Sequence, residues 1–146
     1  MATTEQIIEK LGLKKHPEGG WYAETWREKP EGGGRGAGTA IWFLLREGEC
    51  SRRHRIDATE IWHHYDGAPL ALTIEKDGEA PCVLTLGKDL MAGESPQLIV
   101  PGFTWQSARS LGAWTLVGCT VSRIFTNCLS KDWPWRSARP FSQLAS

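Results

Sequence analysis

His54 and Glu60, six residues apart, bring an imidazole and a carboxylate into one short stretch, and His63 and His64 follow directly after Trp62. An imidazole is a base near neutral pH, and a carboxylate beside it fixes its tautomer or acts as the opposing acid. Together they supply what is needed to exchange a proton at a carbon next to a carbonyl. His54, Glu60 and His64 are therefore the candidate catalytic groups. Trp62, His63, Trp105, Gln106 and Glu18 are the candidate ligand-binding groups, because an indole face suits stacking on a ring and the polar side chains suit hydrogen bonding to one. Each has a structural alternative. His16 can hydrogen-bond in a turn before Pro17, and Glu18, within His16-Pro17-Glu18-Gly19-Gly20, can anchor that turn. Of the eight tryptophans, Trp26, Trp42 and Trp114 are assigned to core or interface, while Trp62 and Trp105 stand as pocket walls.

The elements that must position these groups are mostly strands. Thr3, with Gln6 three residues later, or Thr4 as an alternative cap, precedes Ile7, Ile8, Leu11 and Leu13, which predicts a short amphipathic helix over about residues 4–11 ended by Gly12. Thereafter short runs rich in β-branched, aromatic and leucine residues fall at 39–45, 60–65, 70–75, 83–86, 97–100, 104–108 and 114–121. Asp66-Gly67 and Asp77-Gly78 supply tight turns between them. Such spacing predicts an all-β sandwich or barrel. Residues 29–38, with their many glycines, form a mobile loop that cannot bury enough apolar surface to offset its ordering entropy. No Lys-Ser/Thr pair follows those glycines, so they are not a phosphate-binding loop.

At 146 residues the chain is expected to be a single domain. Lys plus Arg and Asp plus Glu each number 17, so no net field favours nucleic acid or an acidic membrane. No run approaches the roughly 20 apolar residues a spanning helix requires, and the first residues lack a secretory pattern. A soluble, cytoplasmic protein is expected. The cysteines Cys50, Cys82, Cys119 and Cys128 form no CxxC pair and are expected to be reduced, apolar filler.

The spacing Gly48, His54, Ile56, Glu60, Gly67 resembles the first signature of a cupin barrel. The resemblance implies that Ile56 stands where a second metal-binding histidine would be. The second signature is matched less closely: Pro101-Gly102-Phe103-Thr104-Trp105-Gln106 puts Gln106 at its histidine position, and Gly93 lies eight residues before Pro101. The four implied ligand positions then read His54, Ile56, Glu60 and Gln106. That set falls short of a tight transition-metal site, so no cofactor is expected beyond a weakly bound divalent metal held by His54, Glu60 and Gln106. Together with His16-Pro17-Glu18-Gly19-Gly20-Trp21 and Ala40-Ile41-Trp42-Phe43-Leu44-Leu45, these motifs over about residues 4–126 resemble the cupin-like family DUF985 (Cupin_5). The resemblance implies a double-stranded β-helix jelly roll, usually a homodimer, with a polar pocket and no established reaction. Residues 127–146 are left as a C-terminal tail. Strand parity puts Glu60, Trp62 and His64 on one face and Ile61, His63 and Tyr65 on the other, so His64 follows Glu60 inward unless a bulge brings His63 round.

Two functions fit these residues. One is a metal-independent isomerase or epimerase acting on a small carbohydrate or nucleotide-sugar-like substrate. The other is a non-catalytic module that binds a carbohydrate or nucleotide. The expected partners are a small-molecule ligand and a second copy of the chain, with the alternating stretch Trp21–Trp26 available to extend a partner's sheet.

Overall fold

A computed structural model describes residues 1–123. The expected tail, 127–146, and Cys128 lie outside these residues. Helix α1 (Thr4–Leu11) starts at a capping box: the Thr3 side chain accepts from the Gln6 N–H, and the Gln6 side chain accepts from the Thr3 N–H. Gly12, at φ 63°, ends it in the left-handed region. A helix this short is marginal alone. Ile7 therefore matters, because with Leu13 it packs on Leu44 and Trp114 and ties α1 to the sheet behind it.

Ten strands follow: β1 (Lys14–Lys15), β2 (Trp21–Arg27), β3 (Gly38–Arg46), β4 (Cys50–His54), β5 (Thr59–Gly67), β6 (Leu70–Glu75), β7 (Cys82–Leu86), β8 (Gln97–Val100), β9 (Trp105–Ser110) and β10 (Trp114–Ser122). A 3-10 turn (Leu90–Ala92) precedes β8. The strands form a six-stranded sheet, β1-β2-β3-β10-β5-β8, and a four-stranded sheet, β4-β9-β6-β7, with every ladder antiparallel. The strand content and pairing are those of the expected jelly roll. The sheets, however, do not close into the expected barrel. At their edges only isolated backbone contacts pass between the two layers, such as the Leu86–Ser95 bridge and the Arg52 N–H to the Glu18 carbonyl at 2.7 Å.

The inner faces enclose the core. Phe43, Leu45, Trp62, Leu70, Leu72, Leu86, Val100 and Val117 are nearly free of solvent exposure and pack as one cluster. Alternation explains the assignment: along β3, Phe43 and Leu45 point between the sheets, while Leu44 points back to α1. This apolar block fills the middle of the sandwich, with Glu60 and Gln106 buried at one end of it and Thr115 at the other.

Candidate functional site

The Glu60 end of the sandwich holds a cavity of about 350 Å3. Its walls come from both sheets, and three local irregularities decide which side chains reach it. The first is the turn between β1 and β2. Gly19 and Gly20 hold φ of 105° and 78°, and a Cβ on either would strike the Cys50 carbonyl or the Leu44–Leu45 backbone and side chain. This close approach folds His16 and Glu18 over the cavity. The second is a β-bulge at Thr25: Glu24 faces Ile41, but the next register partner is Trp26 with Ala40. The extra residue returns Arg27, opposite Thr39, to the inner face already used by Tyr22 and Glu24. The third lies in β4. Ser51 pairs with Ala108 and His54 with Gln106, so three residues on β4 oppose two on β9, and His54 is turned inward. Glu60 from β5 and Cys119 from β10 complete the wall, with Ile56 beside His54.

A directional chain of hydrogen bonds runs beneath this cavity. The Trp62 indole can only donate, and its Nε1–H is bonded to Gln106 Oε1 at 2.9 Å. The Gln106 amide nitrogen must then face the other way, where it donates to Glu60 Oε2 at 2.5 Å. Oε2 is thus held as an acceptor, and when Glu60 is protonated the proton resides on Oε1. Trp62 and Gln106 are 2% and 1% exposed, so water does not compete for these bonds.

The histidine tautomers are set in the same way. His54 Nδ1 lies 2.7 Å from the Arg52 carbonyl, which only accepts, so Nδ1 carries a proton and the lone pair of the neutral ring is on Nε2. His16 is the reverse: its Nδ1 accepts from the Glu18 N–H at 3.0 Å, so the neutral ring is protonated at Nε2. Burial pushes the Glu60 carboxyl above its ordinary value, partly offset by the Gln106 donor and by His54. Burial, aided by His54, pushes His16 down, while Glu18 opposes this. The Cys119 thiol beside Glu60 is raised well above its ordinary value, by burial first and then by that carboxylate, which makes it a poor nucleophile.

His54, Glu60 and Glu18 line the cavity. Gln106 and Trp62 lie behind Glu60 and support it. His64 is on the inner face, opposite Val117, but four residues along β5 from Glu60, about 13 Å at a normal strand rise. There its Nε2 donates to the Ala68 carbonyl at 3.1 Å, outside the cavity. The bulge in β5 falls at Tyr65, after both histidines, so it does not bring His63 round. His63 stays on the outer face, stacked on Tyr65 and bonded to Thr120 and Gln97. Trp105 also points outward. Its ring lies under the Arg53 and Arg55 guanidinium groups at 3.9 and 4.6 Å, and its Nε1 donates to Asp77. Neither Trp62 nor Trp105 offers a free indole face to this cavity.

His16, Tyr22, Glu24 and Arg27 were missed as site residues. The alternation of Tyr22 with Glu24 was visible in the sequence, but Arg27 breaks it, and only the bulge explains why. A larger open groove, about 660 Å3, runs between α1 and β10 beside Ile7, Leu11, Trp114 and Leu116. No histidine lines it, and it is far poorer in groups that could move a proton.

The cupin-type metal positions do not fit a tight metal site. His54 Nε2 and the Glu60 carboxylate are suitable donors, but Ile56 has none, and the oxygen of Gln106 is committed to Trp62. His16 would have to give up either its bond from Glu18 or its Nε2 proton to join them. Among the described residues no group of three or more His, Cys, Asp or Glu side chains is arranged to hold an ion.

The sequence model of a family described as Cupin superfamily (DUF985) matches residues 5–128. Among solved structures, protein SO0799 from Shewanella oneidensis is 36% identical, with TM-score 0.80, covering 86% of this chain and 81% of that one. A hypothetical protein from Leishmania major is 31% identical, with TM-score 0.74, covering 83% and 81%. KdgF from Halomonas sp. shares the fold at 14% identity and TM-score 0.55, over 80% of this chain and 90% of that one. No curated protein matches the chain.

Proposed function

The chain belongs to the Cupin superfamily family DUF985, and on that scaffold we propose a metal-independent isomerase or epimerase that moves a proton next to the carbonyl of a small carbohydrate-like substrate. The observation that carries this reading is that two groups of complementary role face one cavity. The Arg52 carbonyl holds a His54 proton on Nδ1, which leaves Nε2 as the basic atom of the neutral ring, whereas burial favours the protonated form of Glu60.

In the forward step His54 Nε2 removes the proton from the carbon α to the carbonyl, and the C–H electron pair forms the enediol double bond. The carbonyl oxygen takes a proton from Glu60, which becomes the carboxylate accepting from Gln106. Return of the proton from His54 to the neighbouring carbon, with Glu60 recovering one from a hydroxyl, gives the isomer; if the enediol turns its other face to His54 before the proton returns to the first carbon, the product is the epimer. No electrons enter or leave. His16, a donor at Nε2, and Glu18, an acceptor, are suited to orient the substrate's oxygens. His64, held by the Ala68 carbonyl, has no part in this scheme.

The test is incorporation of deuterium from D2O into aldoses and ketoses, followed by proton NMR. Wild-type protein should catalyse exchange, and His54→Asn should slow it by at least about a hundredfold, the usual worth of a general base. Absence of exchange across the panel would overturn the enzymatic reading. The binding-module alternative predicts binding without exchange, and it is favoured by Glu18, a carboxylate on the wall that is suited to hold hydroxyl groups whether or not a proton moves.

A further inference from the structure

We propose that the cavity selects an uncharged, monosaccharide-sized hydroxy-carbonyl compound and rejects its phosphorylated, uronate and nucleotide-linked forms. The hydroxy-carbonyl part rests on the proton-transfer reading above; the charge and size selection rests on the wall itself.

The argument begins with the cations. Arg27 and Arg55 are the arginines on the wall. The Arg27 Nε lies 3.0 and 3.1 Å from the two Glu24 oxygens and its Nη2 lies 2.6 Å from Oε2, a forked pair that uses one edge of the guanidinium and cancels its charge. Arg55 is drawn outward, with Nη1 3.3 Å from Asp77 and its guanidinium over the Trp105 ring. Glu18, by contrast, has no ion-pair partner among the described residues. An anionic substrate would leave water, find both cations already matched, and meet the Glu18 charge. Loss of hydration without a counter-charge disfavours it. A neutral sugar meets none of these penalties, and a free carboxylate accepts from two adjacent hydroxyls at once.

A smaller cavity, about 170 Å3, adjoins the first and shares Arg27, Thr39, Ile56 and Val121 with it. Arg35 and Arg123 also line it, so it is the natural place to look for a phosphate subsite. Asp57 pairs with both arginines, however, and the Glu28 carboxylate sits in the same wall, accepting from the Ala37 N–H. The charges of Arg27, Arg35 and Arg123 are thus equalled in number by those of Glu24, Asp57 and Glu28, so that no net positive charge remains for a phosphate, although the buried Arg123 Nε–H has no partner among the described residues. Size points the same way. At about 350 Å3 the main cavity lies at the low end of small-molecule sites, room for one sugar ring.

The experiment measures affinities of the full chain for fructose, fructose 6-phosphate, glucuronate and UDP-glucose by ligand-observed NMR and calorimetry, with D2O exchange on the same samples. Fructose should bind at least about tenfold more tightly than each charged probe. Glu24→Gln, an exposed change that unmatches Arg27, should raise the ratio of fructose 6-phosphate to fructose affinity by about tenfold, and Arg27→Gln should not. Equal or tighter binding of a charged probe to the wild type overturns the selection, while exchange on that probe would leave the proton-transfer reading intact. Neutral binding without exchange overturns the enzyme and sustains the selection. Binding of none of the four overturns both.

Discussion

Glu60 is the residue on which the site's chemistry and its stability meet. Its folded pKa is raised, so between the ordinary carboxylate value and that raised value the folded chain binds more protons than the unfolded one. Its contribution is therefore fully present below the ordinary value and is lost as pH rises through the folded one. Glu60→Gln keeps an acceptor for Gln106 and has no charge to bury. Relative to the wild type it should gain thermal stability on going from about pH 4 to about pH 8, read as a growing difference between the two Tm values, while proton exchange is abolished. A wild-type Tm that rises with pH relative to the variant would contradict the raised pKa. Gln106 has a different signature. Gln106→Leu leaves the Trp62 Nε1–H and Glu60 Oε2 unpaired, and urea unfolding should show a loss of about 2–6 kcal/mol, one buried polar group costing about 1–3. A loss under about 1 kcal/mol would mean that the chain of bonds does not hold in solution.

At the scale of elements, the bulges in β2 and β4 turn Arg27 and His54 into the cavity, and one carboxylate ties down the loop above it. The Gly-rich connection expected as mobile joins β2 to β3, and Arg35 within it pairs with Asp57 at 2.7 Å, as Arg123 at the end of β10 also pairs with Asp57. These groups are partly exposed, so the pairs add little to global stability. Asp57→Asn should therefore change the unfolding free energy by less than about 1 kcal/mol, yet it should speed trypsin cleavage after Arg35 several-fold by releasing that segment. Unchanged cleavage kinetics would show that the pair does not restrain the loop.

The whole molecule leaves an aromatic outer surface. On the side of the six-stranded sheet facing away from the core, Trp26, Trp42, Tyr65 and Ile99 are all at least 36% exposed. The edge of β2 is paired with β1 only at Trp21 and Tyr22, which leaves the stretch toward Arg27 open, with the bulge at Thr25 interrupting it. An exposed apolar face next to an open edge favours association. Light scattering at tens of micromolar should give a homodimer, the concentration at which a standard-size interface is filled, and Trp26→Glu with Trp42→Glu should shift it to monomer. A monomeric wild type would remove the expectation.

Much of the fold was legible because it rests on local physics. The Thr3–Gln6 box and Gly12 bound α1 where their capping chemistry puts it, and alternating apolar residues marked β3, β5, β6, β8 and β10 to within a residue or two. The spacing of His54 and Glu60 likewise pointed to two residues that line the cavity. The five residues of β4 were not legible, since Cys50-Ser51-Arg52-Arg53-His54 has almost no apolar alternation and becomes a strand only by pairing with β9. Nor were the faces. Period two carries a side chain to a known side only while the ladder is regular, and an extra residue reverses every later assignment. The bulge before His54 turned it inward, the one at Thr25 did the same for Arg27, and the one at Tyr65 came too late to move His63. Composition and spacing thus determined the scaffold and named two of the residues that line its cavity. Which charges cancel, which oxygen of Glu60 accepts, and whether His64 or His16 shares its cavity were decided only when two sheets were stacked, because those facts belong to pairs of residues far apart in the chain.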